Sequence, residues 1–352
     1  MNKTGMNDIA EDIGVSRNTV SKVMNGRGSV SEKIRHQVIE AAIRLNYEKL
    51  PMHLLEKFEE TNNIKEVINT KNILVIATAP DFSSFWGKMI NGITKELVEE
   101  EYNCFYNFIT FEQEEHFEIP DILDACQIAG IIVMNVYNKK AVKKIASTNI
   151  PTVYFDMPLG MEVEDIKGDI VVTEGRRSVY QITKKLLEAN HKRLGFVGDI
   201  TYCKSVEERW RGFVRAHNAL GIKIHTEYCY VGEKAGHYYF DKEIEEIMKA
   251  FIKEGHKLPH AFVCANDEIA YKLINELKKY GYQVPKDIKV SGFDDILNEG
   301  NNLDFLTTVN IATESIGKRL AEKIVWRIKN STRDYEEIKI YGMVKFRQST
   351  EG

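Results

Sequence analysis

The stretch DIAEDIGVSRNTVSKVMN, residues 8–25, predicts two short helices joined by a tight turn at Gly14. Gly14 can supply the left-handed backbone that ends the first helix, and Ser16 is placed to cap the second. The arrangement is typical of a helix-turn-helix. Apolar residues recur at helical spacing on both sides of the turn, which gives each helix one face to bury: Ile9, Ala10 and Ile13 before it, and Val15, Val20 and Val23 after it.

The second of these helices exposes hydrogen-bonding side chains of the kinds that read base edges and hold phosphates, namely Arg17, Asn18, Ser21 and Lys22. The alternative interpretation is an ordinary helical hairpin with a solvated face. The continuation of the chain favours DNA binding, because Ser31 is placed to cap a third helix whose apolar stripe runs up to Tyr47. Three small helices with one polar, outward helix make a DNA-binding headpiece.

Length and composition indicate an ordinary multidomain globular protein. The chain has 352 residues, 43% of them hydrophobic and 28% charged, with a net charge of −4. Its first 50 residues contain eight Lys and Arg and six Asp and Glu, a balance of only +2. DNA affinity therefore depends on where the side chains lie and on the pairing of two headpieces, and not on bulk charge.

The cysteine pattern and the absence of targeting signals predict a cytoplasmic protein. The five cysteines are scattered, without a Cys-x-x-Cys pair or a neighbouring His at metal-ligand spacing, so we expect reduced thiols and neither a metal nor a cofactor. No signal peptide and no apolar run of membrane-spanning length are recognisable, so no membrane association is expected.

After the headpiece, short apolar runs alternate with amphipathic helices, a pattern that predicts parallel sheets covered on both faces. There are too many strands for one sheet, so we expect two doubly wound subdomains. The predicted divisions are a headpiece over 1–50, a hinge over 51–71 and a two-lobed domain over 72–352. The predicted strands cover 73–78, 103–109, 129–136, 151–155, 169–172, 193–198, 226–231, 260–264 and 288–292, and the predicted helices cover 85–100, 139–147, 176–189, 206–220, 241–253, 267–280 and 313–330.

The headpiece resembles that of the lactose-repressor (LacI/GalR) family, with DIA..IGVSRNTVSKVMN, VSEKIR and LNY in the family's order and spacing. The resemblance continues through the later motifs NHKRLGF at 190–196, RWRGF at 209–213, CANDE at 264–268, VPKDIKVSGFDD at 284–295 and LTTV at 306–309. It implies a homodimeric transcription regulator, most often a repressor, that binds a near-palindromic operator. It also implies a periplasmic-binding-protein-like domain with a small-molecule effector between its two lobes.

For DNA binding, we expect Arg17, Asn18 and Lys22 to contact bases or adjacent phosphates. The DNA backbone is expected to be held by Ser16, Thr19, Ser21 and Asn25. Family members usually continue with Pro-Asn and a hinge helix whose Leu enters the minor groove, whereas this chain has Lys49-Leu50. If Pro51 starts that helix two residues late, the apolar wedge becomes Phe58, with Leu54 and Leu55 as competitors.

For effector binding, the candidates follow predicted strands, where open parallel sheets bind their ligands. Asp81, Phe85 and Trp86 follow the first strand, and the two aromatics stand where the family has its NPFF segment; packing of the helix on the sheet is the alternative. Asn135 and Asp156 end later strands, with loop capping as the alternative. In the second lobe the positions that match the family are Arg209, Asn266 and Asp294, whereas Asp267 and Asp295 are expected to be structural acids.

These side chains favour a carbohydrate or similarly polyhydroxylated effector, and a nucleobase stacked on Phe85 or Trp86 remains an alternative. The rival class is an enzyme of the two-lobed α/β type with an accessory headpiece. The chain lacks the G-x-S-x-G, H-E-x-x-H and G-x-x-x-x-G-K-[ST] motifs, so a non-enzymatic regulator is predicted. A third interpretation keeps DNA binding but makes a protein co-regulator the signal.

Overall fold

The computed structural model describes residues 5–25, 30–45, 71–78, 84–232, 257–296 and 305–351, together with positions 47, 50, 51, 54, 244–246, 248 and 249. The chain divides into two compact units, Met1–Asn69 and Thr70–Gly352. The predicted hinge over 51–71 falls mostly outside the described residues, so its limits stay a prediction. Within the described part of the chain, no helix combines the length and the apolar character needed to cross a membrane.

The headpiece consists of three helices, α1 Met6–Asp12, α2 Arg17–Met24 and α3 Glu32–Arg44. Gly14 has a φ of 69°, as the turn requires, and the hydroxyl of Ser16 accepts the backbone N–H of Thr19 at 3.1 Å. The three helices bury one small apolar cluster that contains Ile9, Ala10, Val20, Val23, Met24, Val38, Ile39, Ala41, Ala42, Tyr47 and Leu54.

The first lobe of the larger unit is built on a six-stranded parallel sheet with the order β10-β5-β4-β3-β1-β2. Its strands are β1 Asn72–Thr78, β2 Asn103–Ile109, β3 Gly130–Met134, β4 Thr152–Phe155, β5 Asp169–Glu174 and β10 Glu337–Tyr341. Its helices are α4 Ser84–Glu99, α5 Phe111–Glu115, α6 Ile122–Ala125, α7 Lys139–Ser147, α8 Val163–Ile166 and α12 Thr313–Lys329.

Helices α4 and α12 pack side by side against this sheet. A Cβ atom at Gly92 would collide with the backbone of Glu314, and one at Gly317 would collide with the backbone of Met89. Gly92 in α4 and Gly317 in α12 therefore allow the backbones of the two helices to approach each other closely. Helix α12 also brings Arg327 to the fully buried Asp169, whose two carboxylate oxygens accept Nε at 2.6 Å and Nη2 at 2.7 Å.

The second lobe has a three-stranded parallel sheet, β6-β7-β8, and a two-stranded antiparallel ribbon, β9-β11. A parallel bridge between Ser291 and Thr307 connects the ribbon to β8. The chain passes between the lobes after β5, between β9 and α12, and between β10 and β11. The elements of this lobe are α9 Arg176–Glu188, β6 Leu194–Val197, α10 Lys204–Leu220, β7 Ala261–Cys264, α11 Asp267–Lys279, β8 Lys289–Ser291, β9 Thr308–Asn310 and β11 Met343–Lys345.

Most predicted elements of the larger unit are present within two residues of their expected limits, but the strand predicted at 226–231 is wrong. Residues Thr226–Tyr228 form a 3-10 turn, and only Tyr230 makes a single bridge to Val197. The apolar residues here pack against the core without a strand partner along their length. Of the helix predicted at 241–253, only 244–246 and 248–249 are described, and they are helical.

Candidate functional site

The second helix of the headpiece presents one polar face. Arg17, Asn18 and Lys22 are exposed, and they are not among the described ion pairs of the headpiece, which join Arg35 to Glu32 and Arg44 to Asp12. Their spacing places them on the side of α2 opposite the buried Val20 and Val23. Two cations and an amide therefore remain available for phosphates and base edges.

The remaining polar residues of this helix also hold its ends. The Ser16 and Thr19 hydroxyls lie 2.9 Å apart. The Asn25 side chain donates to the Ser21 carbonyl oxygen at 2.8 Å and lies 3.2 Å from the Ser21 hydroxyl oxygen. These bonds fix both ends of the presented face. Of the three candidate wedge residues, Leu54 is buried in the headpiece cluster, whereas Leu55 and Phe58 lie outside the described residues.

In the second lobe, the structure brings Arg209 and Asp294 together. Arg209, near the start of α10, donates from Nη1 to the carbonyl oxygen of Ala265 at 2.7 Å, and its guanidinium carbon lies 3.8 Å from the centre of the Phe293 ring. Its Nη2 lies 3.5 Å from Oδ1 of Asp294. The ends of β7 and β8 thus place a cation, an anion and an aromatic face at one point.

This pair is incompletely satisfied. Nε of Arg209 and Oδ1 of Asp294 are both buried and make no hydrogen bond among the described residues. Asp294 also has a φ of 109°, a left-handed conformation that L side chains rarely adopt. Buried polar atoms of folded proteins normally have partners, and strained backbone collects at functional sites. These two atoms, which make no hydrogen bond within the described part of the chain, are therefore suited to a polar ligand.

Burial also changes the acidity of this carboxyl group. Burial is the main cause that raises the pKa of Asp294 from its ordinary 3.8 to about 7; Arg209 opposes this shift and Glu268 adds to it. Near neutral pH the group is divided between a protonated form that can donate and an ionised form that can only accept. Neighbouring Asp295 instead accepts bonds from Asn310 at 2.8 Å and Arg347 at 2.6 Å.

In the first lobe, Asn135 and Asp156 are buried and already bonded. Asn135 donates from Nδ2 to the Thr78 carbonyl at 2.8 Å, and its Oδ1 accepts the Tyr202 hydroxyl at 2.8 Å. Asp156 accepts the backbone N–H of Met157 at 2.8 Å and of Ser205 at 3.2 Å through Oδ1. In this structure the polar atoms of both side chains make hydrogen bonds to other groups of the protein. Their expected contacts with an effector therefore stay predictions.

The remaining candidates differ in availability. Phe85 and Trp86 are half-buried, with ring centres 4.8 Å apart, and both lie near Phe155, at 6.4 and 6.1 Å. Asn266 caps α11 by accepting the backbone N–H of Ile269 at 2.9 Å through its side chain. Asp81 lies outside the described residues. The aromatic group packs against the hydrophobic core, and capping occupies the amide oxygen of Asn266.

Sequence reasoning missed Tyr137 and Tyr202. Their rings meet edge to face with centres 4.6 Å apart, although Tyr137 follows β3 in the first lobe and Tyr202 precedes α10 in the second. The hydroxyl of Tyr137 lies 3.4 Å from Oδ2 of Asp156. Both tyrosines lie in loops that follow strands, which is a weak sequence signal, and only the three-dimensional fold pairs them.

Comparisons with known proteins agree with both parts of the chain. Residues 5–49 match the family model described as bacterial regulatory proteins, lacI family, and residues 183–350 match the periplasmic binding protein-like domain. The HTH-type transcriptional repressor PurR of Actinobacillus pleuropneumoniae serotype 3 (strain JL03) is 26% identical over 332 residues, which cover 94% of this chain and 92% of that protein.

Two solved structures have the same fold over almost the whole chain. A transcriptional regulator CelR–cellobiose complex aligns with a TM-score of 0.68 and 20% identity, covering 99% of this chain and 100% of that one. The lac repressor dimer bound to operator and the anti-inducer ONPF aligns with a TM-score of 0.64 and 18% identity, covering 100% of both chains.

The headpiece and the two-lobed domain together define a DNA-binding transcription regulator and not an enzyme. The chain combines a lacI-family helix-turn-helix domain with a periplasmic-binding-protein-like domain.

Proposed function

We propose that this protein is a cytoplasmic, homodimeric repressor whose affinity for a near-palindromic operator is controlled by a small polar effector between its lobes. The observation that carries the proposal is the ion pair of Arg209 and Asp294, in which two buried polar atoms make no hydrogen bond among the described residues. A ligand that bonds to both atoms removes a cost that the effector-free protein bears.

A carbohydrate fits this pair best. A sugar offers adjacent hydroxyls that donate to the carboxylate and accept from the guanidinium, while its C–H face packs on aromatic rings. Phe85, Trp86 and Phe155 form such an aromatic group. The solved CelR structure, with which this chain shares its fold, holds cellobiose.

Isothermal titration of the full-length protein with a panel of mono- and disaccharides and nucleosides tests the effector. Saturable binding of a sugar that Asp294→Ala and Arg209→Ala both abolish is the expected result, with Arg319→Ala as a surface control. Both variants are expected to bind operator without effector as the parent protein does. If both variants still bind the sugar as the parent protein does, the effector pocket has been assigned to the wrong residues. Binding only of nucleosides would favour base stacking on the aromatic group.

For the DNA, selection from a random pool by the intact dimer should return a near-palindrome, because a two-fold dimer reads two half-sites. The absence of any enriched motif would contradict the proposal. By linkage, saturating operator must change effector affinity by the same factor by which effector changes operator affinity.

A circular-permutation assay tests the proposed minor-groove wedge. Phe58→Ala should reduce the bending of the operator, and unchanged bending would exclude Phe58 from that role.

If the titration finds no small-molecule ligand while operator binding is intact, the protein co-regulator hypothesis becomes the better one. The operator experiments and the titration therefore test the DNA-binding part and the effector part of the proposal separately.

A further inference from the structure

The buried carboxylate of Glu114 organises one edge of the first lobe. Glu114 belongs to the short helix α5 and is only 4% exposed. Its Oε1 accepts the backbone N–H groups of Tyr137 at 2.6 Å and Asn138 at 2.5 Å, and its Oε2 accepts the Thr78 hydroxyl at 2.6 Å. One side chain thus joins the end of β1 to the loop after β3, with strong charge-assisted bonds.

That loop reaches the second lobe through two tyrosines. The position of Tyr137 is set by Glu114, and its ring meets the ring of Tyr202. The Tyr202 hydroxyl donates to Asn135, which is itself held by the Thr78 carbonyl. Burial, and next the charge of Asp156, raise the pKa of Tyr137 well above its ordinary value, so its hydroxyl stays protonated beside that carboxylate.

A second contact between the lobes lies beside the first. Asp156, at the end of β4, accepts the backbone N–H of Ser205 in the first turn of α10. A carboxylate at a helix N-terminus is favourable because it meets unpaired N–H groups and the positive end of the helix dipole. Lys204 adds a backbone bond to the Met157 carbonyl at 3.1 Å and an ion pair with Glu337 at 2.7 Å.

We propose that Asn135, Tyr202, Asp156 and Ser205 form a latch that holds the two lobes together without effector, and that Glu114 is its positioning residue. Asn135 and Asp156 each accept a hydrogen bond from the second lobe, so both residues act on lobe closure, and their contacts with an effector stay predictions. The regulatory consequence rests on the proposed function: the latch sets the fraction of closed protein, and with it the effector affinity.

Hydrogen–deuterium exchange on the full-length, effector-free protein tests the latch. Tyr202→Phe removes only the hydroxyl, and Tyr280→Phe, on the partly exposed Tyr280 after α11, is its control. Loss of one hydrogen bond should speed exchange of the Ser205 amide and its neighbours about three- to tenfold, whereas amides inside β3 and β6 stay unchanged. Unchanged exchange at Ser205 in Tyr202→Phe would overturn the latch.

Glu114→Gln tests the positioning role, with Glu115→Gln on the exposed side of the same helix as its control. Glu114 has no described hydrogen bond or ion pair to the second lobe, so a purely local role predicts faster exchange only at Tyr137 and Asn138. The latch predicts faster exchange at Ser205 as well. Exchange that changes only locally would remove Glu114 from the latch, and if this variant does not fold, Tyr202→Phe still decides.

These measurements need no effector. A failure of the proposed effector function would appear as an absence of sugar and nucleoside binding in the titration, while the exchange results would stand independently. If an effector is found, Tyr202→Phe should change the affinity of the protein for that effector. Because Arg209 and Asp294 are intact in this variant, the loss of their contacts with the ligand cannot explain the change.

Discussion

Replacing Asp294 by asparagine is expected to stabilise the effector-free protein at neutral pH and, in the same molecule, to weaken effector binding. The structural reason is that Asp294 is held in a buried position where its charged form is disfavoured. Asparagine resembles the protonated acid in shape and cannot ionise. Such opposite effects, a less stable free protein and a more stable complex, are expected of a residue that binds a ligand.

The magnitude follows from the pKa. A tenfold change in an ionisation constant corresponds to about 1.4 kcal/mol. The move from 3.8 to about 7 therefore corresponds to a penalty of about 4 kcal/mol for the ionised form in the folded state. Because the folded-state pKa of Asp294 is raised, its contribution to the free energy of unfolding is fully present below about pH 4. That contribution is lost as pH rises to about 7. The expected gain of Asp294→Asn at pH 8 is thus at most about 4 kcal/mol.

The assay is thermal and urea unfolding of full-length protein between pH 5 and pH 8, followed by titration with the identified effector. Loss of a hydrogen bond to a charged group should weaken effector binding by about ten- to 150-fold. Asp295→Asn is the matched neighbour with the opposite sign. Burial alone would raise the pKa of Asp295, but hydrogen bonds from Arg347 and Asn310 hold it below the ordinary value. Its stability contribution is present above the ordinary pKa and is lost as pH falls through the folded-state pKa.

A parallel loss of stability in Asp294→Asn and the parent protein between pH 5 and pH 8 would show that the ionised Asp294 carboxylate does not destabilise the folded protein. A shift of stability in the same direction in both asparagine variants at neutral pH would show the same. Unchanged effector affinity in Asp294→Asn, with the stability gain present, would leave the electrostatic argument intact and would remove Asp294 from the binding site.

Three further outcomes are expected. Arg17→Ala and Asn18→Ala should each weaken specific operator binding by about 1–3 kcal/mol if they contact bases, measured by fluorescence anisotropy; a normal operator affinity in both would contradict the assigned recognition face. Ser16→Ala should lower headpiece stability by about 0.5–2 kcal/mol through loss of the cap, and an unchanged thermal midpoint would argue against that role. Arg327→Met should destabilise the larger unit by up to about 3–5 kcal/mol in urea unfolding, because it removes both guanidinium bonds to buried Asp169 and leaves it the Lys323 ammonium at 3.5 Å and the Glu336 N–H at 2.8 Å; a much smaller loss would show that these two remaining partners are sufficient.

The sequence alone determined the features that depend on neighbours along the chain. The turn at Gly14, the cap at Ser16 and the polar face of α2 each follow from residues within one or two helical turns. The same holds for the alternation of buried strands and amphipathic helices that predicts parallel sheets. Local periodicity and capping decide such elements, so they can be recognised without knowledge of the fold.

The tertiary structure decided which distant residues share a site. Tyr202 and Asn135 are 67 residues apart in the chain, and Arg327 and Asp169 are 158 apart. It also decided β10, whose residues Glu337–Tyr341 alternate between exposed and half-buried and become a strand by pairing with β5 at the edge of the sheet. Asn135 and Asp156 do directly follow strands, but strand ends alone do not reveal whether a ligand or the opposite lobe supplies their hydrogen bonds. That depends on the spacing of the two lobes, which is set by contacts between residues far apart in sequence.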